Sequence, residues 1–62
     1  MKATQFVAAL EVLGWTQTQA AEELGVKGGQ PRVSQWMTGK RKVPEYIGRA
    51  LMARLELARH SR

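Results

Sequence analysis

A chain of 62 residues holds one domain and no more, and a core of that size is marginal for a monomer. With no cysteine and a single histidine, His60, disulfides and thiolate metal sites are excluded and a histidine zinc site is disfavoured, which leaves a second subunit as the common stabilising device. The net charge of +5 is unevenly placed: Lys2 is set against Glu11, Glu22 and Glu23 near the start, whereas residues 27–42 carry Lys27, Arg32, Lys40, Arg41 and Lys42 without an acid, the footprint of a surface for a polyanion.

Four stretches carry apolar residues at helical spacing, punctuated by glycine or proline, and no strand-like alternation of useful length interrupts them. The first helix is expected from Thr4 to Leu13, with Thr4 as N-cap, Phe6, Ala9, Leu10 and Leu13 on one face, and Gly14 as the stop. Thr16-Gln17-Thr18-Gln19 fits a capping box and predicts a second helix over 17–24. Trp15 and Ala20 occupy the staple positions of that helix, Ala20, Ala21 and Leu24 turn inward, Glu22 and Glu23 turn to solvent, and Gly25 ends it. Lys27-Gly28-Gly29 is a break.

Pro31 suits the first position of a third helix over 31–38, which makes Gln30 its N-cap, and Gly39 stops it. Val33, Trp36 and Met37 share the inner side of this helix, and Gln30, Arg32, Ser34, Gln35 and Thr38 spread over the remainder. Lys40-Arg41-Lys42 is a basic loop, after which Pro44 opens a fourth helix lasting to Arg59. Its inner stripe is Ile47, Ala50, Leu51, Leu55 and Ala58; its arginines are expected in solvent, and His60, Ser61 and Arg62 as a frayed end. Met52 and Leu57 lie off the stripe and mark a candidate dimer surface. The expected class is all-α, a single domain of four or five short helices.

The second and third helices flank a glycine-containing turn, and the small Ala21 lets the third pack closely across the second and project from the surface. A projecting helix with Gln30, Arg32, Ser34 and Gln35 on its free side suits the DNA major groove. Glutamine bonds adenine N6 and N7 there, arginine bonds guanine O6 and N7, and serine bonds either a base edge or a phosphate. Lys40, Arg41 and Lys42 then neutralise phosphates beside the groove, and Thr16 and Gln17, at the positive end of the second helix, hold another.

Gly14-Trp15-Thr16-Gln17, then Ala20-Ala21-Glu22-Glu23-Leu24-Gly25-Val26, then Val33-Ser34-Gln35-Trp36-Met37-Thr38-Gly39-Lys40-Arg41, together resemble the Cro and phage-repressor class of helix-turn-helix regulators. The later Val43-Pro44 and Leu51 extend the likeness over residues 4–57. The resemblance implies a lambda-repressor-like fold and binding of a near-palindromic operator as a homodimer. It also implies a phosphate contact at Gln17, major-groove positions at Gln30, Arg32, Ser34 and Gln35, and backbone contacts along Thr38 to Lys42. The separation from Gly25 to Val33 departs from the family by two extra residues, which bulge the turn and bring Lys27 to a further phosphate or tilt the third helix.

Other classes are poorly served. The five carboxylates are scattered, none beside a histidine or nucleophile, so no enzyme, cofactor or small-molecule site is expected. The apolar runs are too short to span a bilayer and no h-region follows Lys2, so the expected location is the cytoplasm of a bacterium or phage-infected cell. RNA fits poorly, because A-form duplexes exclude a reading helix and no aromatic platform is evident. Two alternatives to a repressor share the same pattern: an antitoxin or anti-CRISPR-associated autoregulator, and a protein-interaction module holding an acidic partner.

Overall fold

Local hydrogen bonding sets both ends of the first helix. In the computed structural model, which describes residues 1–60, α1 spans Ala3–Leu13. It begins earlier than Thr4 because Lys2, in extended conformation, is the N-cap: Gln5 Oε1 accepts from the Lys2 N–H at 2.9 Å, and the Phe6 N–H donates to the Lys2 carbonyl at 2.9 Å. A side chain reaching back from the first turn thus satisfies the N-cap N–H and fixes the start one residue before the expected Thr4. At the far end Gly14 enters the left-handed region at φ +70°, and the Trp15 N–H donates to the Leu10 carbonyl at 3.0 Å, a Schellman closure.

The second helix, α2, spans Gln17–Glu23 and carries the expected capping box. Thr16 Oγ1 accepts from the Gln19 N–H at 3.1 Å while Gln19 Oε1 accepts from the Thr16 N–H at 3.0 Å. The helix closes as α1 does, with Gly25 at φ +63° and the Val26 N–H on the Ala21 carbonyl at 2.9 Å.

The third helix, α3, spans Gly29–Thr38 and starts earlier than the expected 31–38. Its N-cap is Gly28, not Gln30, and Gly29 sits at φ +69°, a conformation a side chain resists. The glycine pair lets the chain reverse sooner, so Gln30 and Pro31 both fall inside the first turn, where the missing proline N–H still costs nothing. Gly39 ends α3, as expected.

The fourth helix, α4, spans Glu45–His60, and the Pro44 carbonyl accepts the Ile47 and Gly48 N–H groups at 3.1 and 3.0 Å. His60 therefore belongs to the helix rather than to a frayed end; Ser61 and Arg62 lie outside the described residues. Among the described residues the protein is all-helical, with these four helices and no strand. No helix is long and apolar enough to cross a membrane.

α3 packs against α2 and α1, and α4 packs against α1. Phe6 is fully buried at the junction and meets Trp36 edge to face, with ring centroids 5.8 Å apart and planes at 81°. Around this pair lie Ala9 and Leu10 of α1, Ala20 and Ala21 of α2, Val33 of α3, and Ile47 and Leu51 of α4. The two alanines supply the small surface that lets α3 approach α2. Val43 and Gly48 are also buried, although the helical stripes do not include them.

One bridge overturns an expectation. Glu23 is exposed, as expected, but Arg54 is half-buried rather than merely solvated: its Nη1 lies 3.4 Å from Glu23 Oε1, and its Nη2 donates to the Glu23 carbonyl at 3.4 Å. The same guanidinium sits 6.0 Å from the centroid of the half-buried Trp15 ring. α4 is thereby tied to the last turn of α2.

Candidate nucleic-acid interface

The inner side of α3 is pinned by Val33 and Trp36. At roughly 100° per residue, Pro31, Ser34, Gln35 and Thr38 fall opposite them, with Gln30 and Arg32 on the two flanks. Pro31, Thr38 and Gln30 are exposed, whereas Arg32, Ser34 and Gln35 are half-buried.

Each expected base-reading side chain has a distinct setting. Gln30 Nε2 donates to Gln17 Oε1, a side-chain bond that spans the turn and joins the start of α3 to the start of α2. Arg32 lies back along Gly28: a Cβ placed at Gly28 meets Arg32 Cβ at 2.6 Å and Arg32 Nε at 3.1 Å. Only glycine lets the arginine take that path. Ser34 sits on the outer face, half-buried and next to Gln35 in sequence. Gln35 is less free than its position suggests, because its Oε1 is enclosed; among the described residues that oxygen has no hydrogen-bond partner.

The backbone around Gln35 also organises the loop that follows. Its carbonyl accepts from the Arg41 N–H at 3.2 Å and from Thr38 Oγ1 at 3.3 Å. The chain carrying Lys40, Arg41 and Lys42 is thus folded back against the C-terminal end of α3, and all three residues are exposed. Lys27 is exposed at the opposite end, in the turn that precedes α3. Among the described residues, Lys27, Arg32, Lys40, Arg41 and Lys42 form no salt bridge; the paired carboxylates Glu23, Glu45 and Glu56 take their cations from α4. The positive field of the middle segment is therefore left uncompensated.

The remaining expected phosphate contacts are partly engaged. Thr16 is exposed but its hydroxyl oxygen serves as the α2 cap, Gln17 is half-buried and accepts from Gln30, and the Thr38 hydroxyl donates to the Gln35 carbonyl. The fold brings Gln17, Gln30, Lys27 and Arg32 to one end of α3, and Gln35, Thr38 and the three-cation loop to the other. Sequence reasoning missed the Gln17–Gln30 bond and the Arg41 backbone bond; the first depends on how α2 and α3 cross, which no local pattern encodes. The Gly28-Gly29 pair is the visible signal for the close passage of Arg32.

No group of three or more potential metal ligands occurs among the described residues. A groove of about 620 Å³ lies elsewhere, between α1 and α4, and α3 contributes no lining residue to it. Comparison with protein-family models, with curated proteins and with solved structures finds no match to this chain.

Proposed function

We propose that this protein is a sequence-specific double-stranded DNA-binding regulator of transcription with a lambda-repressor-like helix-turn-helix fold, acting in the cytoplasm as a homodimeric repressor on a near-palindromic operator. One observation carries the reading: α3 presents a polar outer face, and a loop of three exposed cations, without a salt bridge among the described residues, is hydrogen-bonded to the C-terminal end of that helix through the Arg41 N–H and the Gln35 carbonyl. A helix so flanked matches a major groove bordered by two lines of phosphates.

In this reading Lys40, Arg41 and Lys42 neutralise phosphates on one side of the groove, while Lys27 and the start of α2 meet the backbone on the other. Gln17 holds Gln30 in place, so the Gln30 amide enters the groove with less rotamer freedom to lose. Arg32 and Ser34 reach base edges from the flank and face of α3. Gln35 has to swing outward to read a base. Its enclosed Oε1 has no hydrogen-bond partner among the described residues, so the movement breaks no internal bond to that oxygen. Each subunit occupies one half-site, the two lying about 34 Å apart along the duplex, and occupancy of a promoter excludes polymerase.

Selection of bound duplexes from a random DNA pool tests this. A two-fold symmetric consensus is expected, with log affinity falling against log salt at a slope of about −5 if a dimer neutralises about six phosphates. Arg32→Ala relaxes the base preference, whereas Lys42→Ala weakens all sequences alike and flattens the slope by about 0.9 per lost phosphate contact. Identical behaviour of both variants on selected and random DNA refutes the assignment of base readers. A chain that ignores duplexes at low salt refutes the function.

A further inference from the structure

The outer face of α4 is not used by the core or by the proposed DNA surface. Arg49, Met52, Ala53 and Glu56 stand at i, i+3, i+4 and i+7 and so share one face, and all four are exposed. Met52 is half exposed at 50%, and beside it Tyr46 and Leu57 are 70% and 65% exposed. On the α1 side the patch runs into the groove whose lining includes Met1, Ala8, Val12, Met52 and Leu55. Val12, at 72% exposure, stands open at that edge. Apolar surface of this kind on so small a domain asks for a cover.

The charges around the patch identify that cover. From Met52 and Ala53 toward the N-terminus come Arg49 and then Glu45; toward the C-terminus come Glu56 and then Arg59 and His60. The order of signs is opposite in the two directions. A two-fold axis lying between two copies and crossing α4 at right angles, midway between Met52 and Ala53, makes the helices antiparallel. Each Arg49 then meets the other copy's Glu56, each Glu45 faces the turn that carries Arg59, and Met52 packs on Ala53. A parallel arrangement sets Arg49 against Arg49 and Glu56 against Glu56, which is repulsive. Within one chain the same groups make only exposed contacts, Glu45–Arg49 at 4.0 Å, Glu56–Arg59 at 3.7 Å and Glu56–His60 at 3.6 Å, too weak to hold them from a partner.

We infer that the outer face of α4 binds a second copy of this chain, antiparallel and two-fold symmetric, with Met52 and Ala53 at its centre and Arg49 paired across the interface with Glu56. This gives the homodimer of the proposed function its surface, but it rests on the charge order of α4 and not on DNA binding.

Sedimentation equilibrium of the whole chain without DNA tests it. The wild-type chain sediments as a dimer; a monomer at all concentrations overturns the inference. Arg49→Glu and Glu56→Arg each set like charges face to face at two symmetric places and raise the dimer dissociation constant at least about tenfold. Mixing the two variants restores association, because one then carries acids at both positions 49 and 56 and the other carries arginines at both, so each cross-pair joins opposite charges. Failure of the mixture to recover overturns the antiparallel pairing, and so does a dimer that neither variant weakens. Helical circular dichroism identical to wild type shows that the variants, altered only at exposed positions, keep their fold. A monomer that still binds DNA sinks the interface and the homodimer but leaves the DNA-binding reading standing, and a dimer indifferent to DNA sinks the function alone.

Discussion

Replacing Arg54 with methionine isolates the tie between α4 and α2. Methionine keeps an unbranched apolar stem over Trp15 and removes the charge, so packing changes little. Three contacts are lost. The ion pair with Glu23 spans 3.4 Å, but its side chains are 42% and 48% exposed, so solvent screening limits it to about 0.5–1 kcal/mol. The guanidinium is 6.0 Å from the Trp15 centroid, at the outer limit of a cation–π contact, which adds about 0.5 kcal/mol. The bond to the Glu23 carbonyl is long and adds a few tenths, roughly, at the negative end of α2. The sum is about 1–2 kcal/mol against a total stability of roughly 3–9 kcal/mol for a chain of 62 residues. A fall in Tm of about 5–15 °C follows for a domain of this size. Urea and thermal denaturation followed by circular dichroism measure it, in a cycle with Glu23→Gln that should show a coupling of about 0.5 kcal/mol. Strong salt narrows the gap between wild type and variant, because the pair is partly exposed. A loss below about 0.3 kcal/mol, within the scatter of ordinary surface substitutions, or strict additivity with Glu23→Gln refutes the bridge.

Two further substitutions probe the elements that aim α3. Thr16→Ala removes the hydroxyl that caps α2 and should cost about 1 kcal/mol, with Thr16→Ser restoring most of it in the same denaturation assay. Gly28→Ala places a Cβ 2.6 Å from Arg32 Cβ and should destabilise by roughly 1–3 kcal/mol through forced displacement at the start of α3. Because the nearest atom is Arg32 Cβ, the cost of Gly28→Ala should persist in an Arg32→Ala background and largely vanish in an Arg32→Gly background; an equal cost of Gly28→Ala in the two backgrounds contradicts the geometry.

Features written in short-range chemistry are legible from residues alone. The Thr16–Gln19 box, the glycine stops at Gly14, Gly25 and Gly39, and the inward placement of Phe6, Ala20, Val33, Trp36 and Leu51 need only neighbours within a turn or two. The start of α1 differs from expectation because Lys2 rather than Thr4 is the N-cap, its N–H held by Gln5 Oε1 from the first turn. The start of α3 differs because a glycine pair admits a left-handed residue that ordinary cap preferences do not anticipate. The all-helical class and the exposed cations of the 40–42 loop follow from composition and spacing. The enclosure of Gln35 Oε1, the Gln17–Gln30 bond and the Arg54 bridge do not, since each depends on the angle at which separate helices meet.

The ten residues of α3 serve two masters. Trp36 locks edge-on against Phe6 while Gln35, its immediate neighbour, turns to the far side. On the proposed reading, specificity drifts through the positions off the scaffold, Gln30, Arg32, Ser34 and Gln35, because exchange at the buried Val33 or Trp36 dismantles the scaffold before any new preference is expressed. The rigidity that keeps the rod aimed also narrows the routes by which its vocabulary can change.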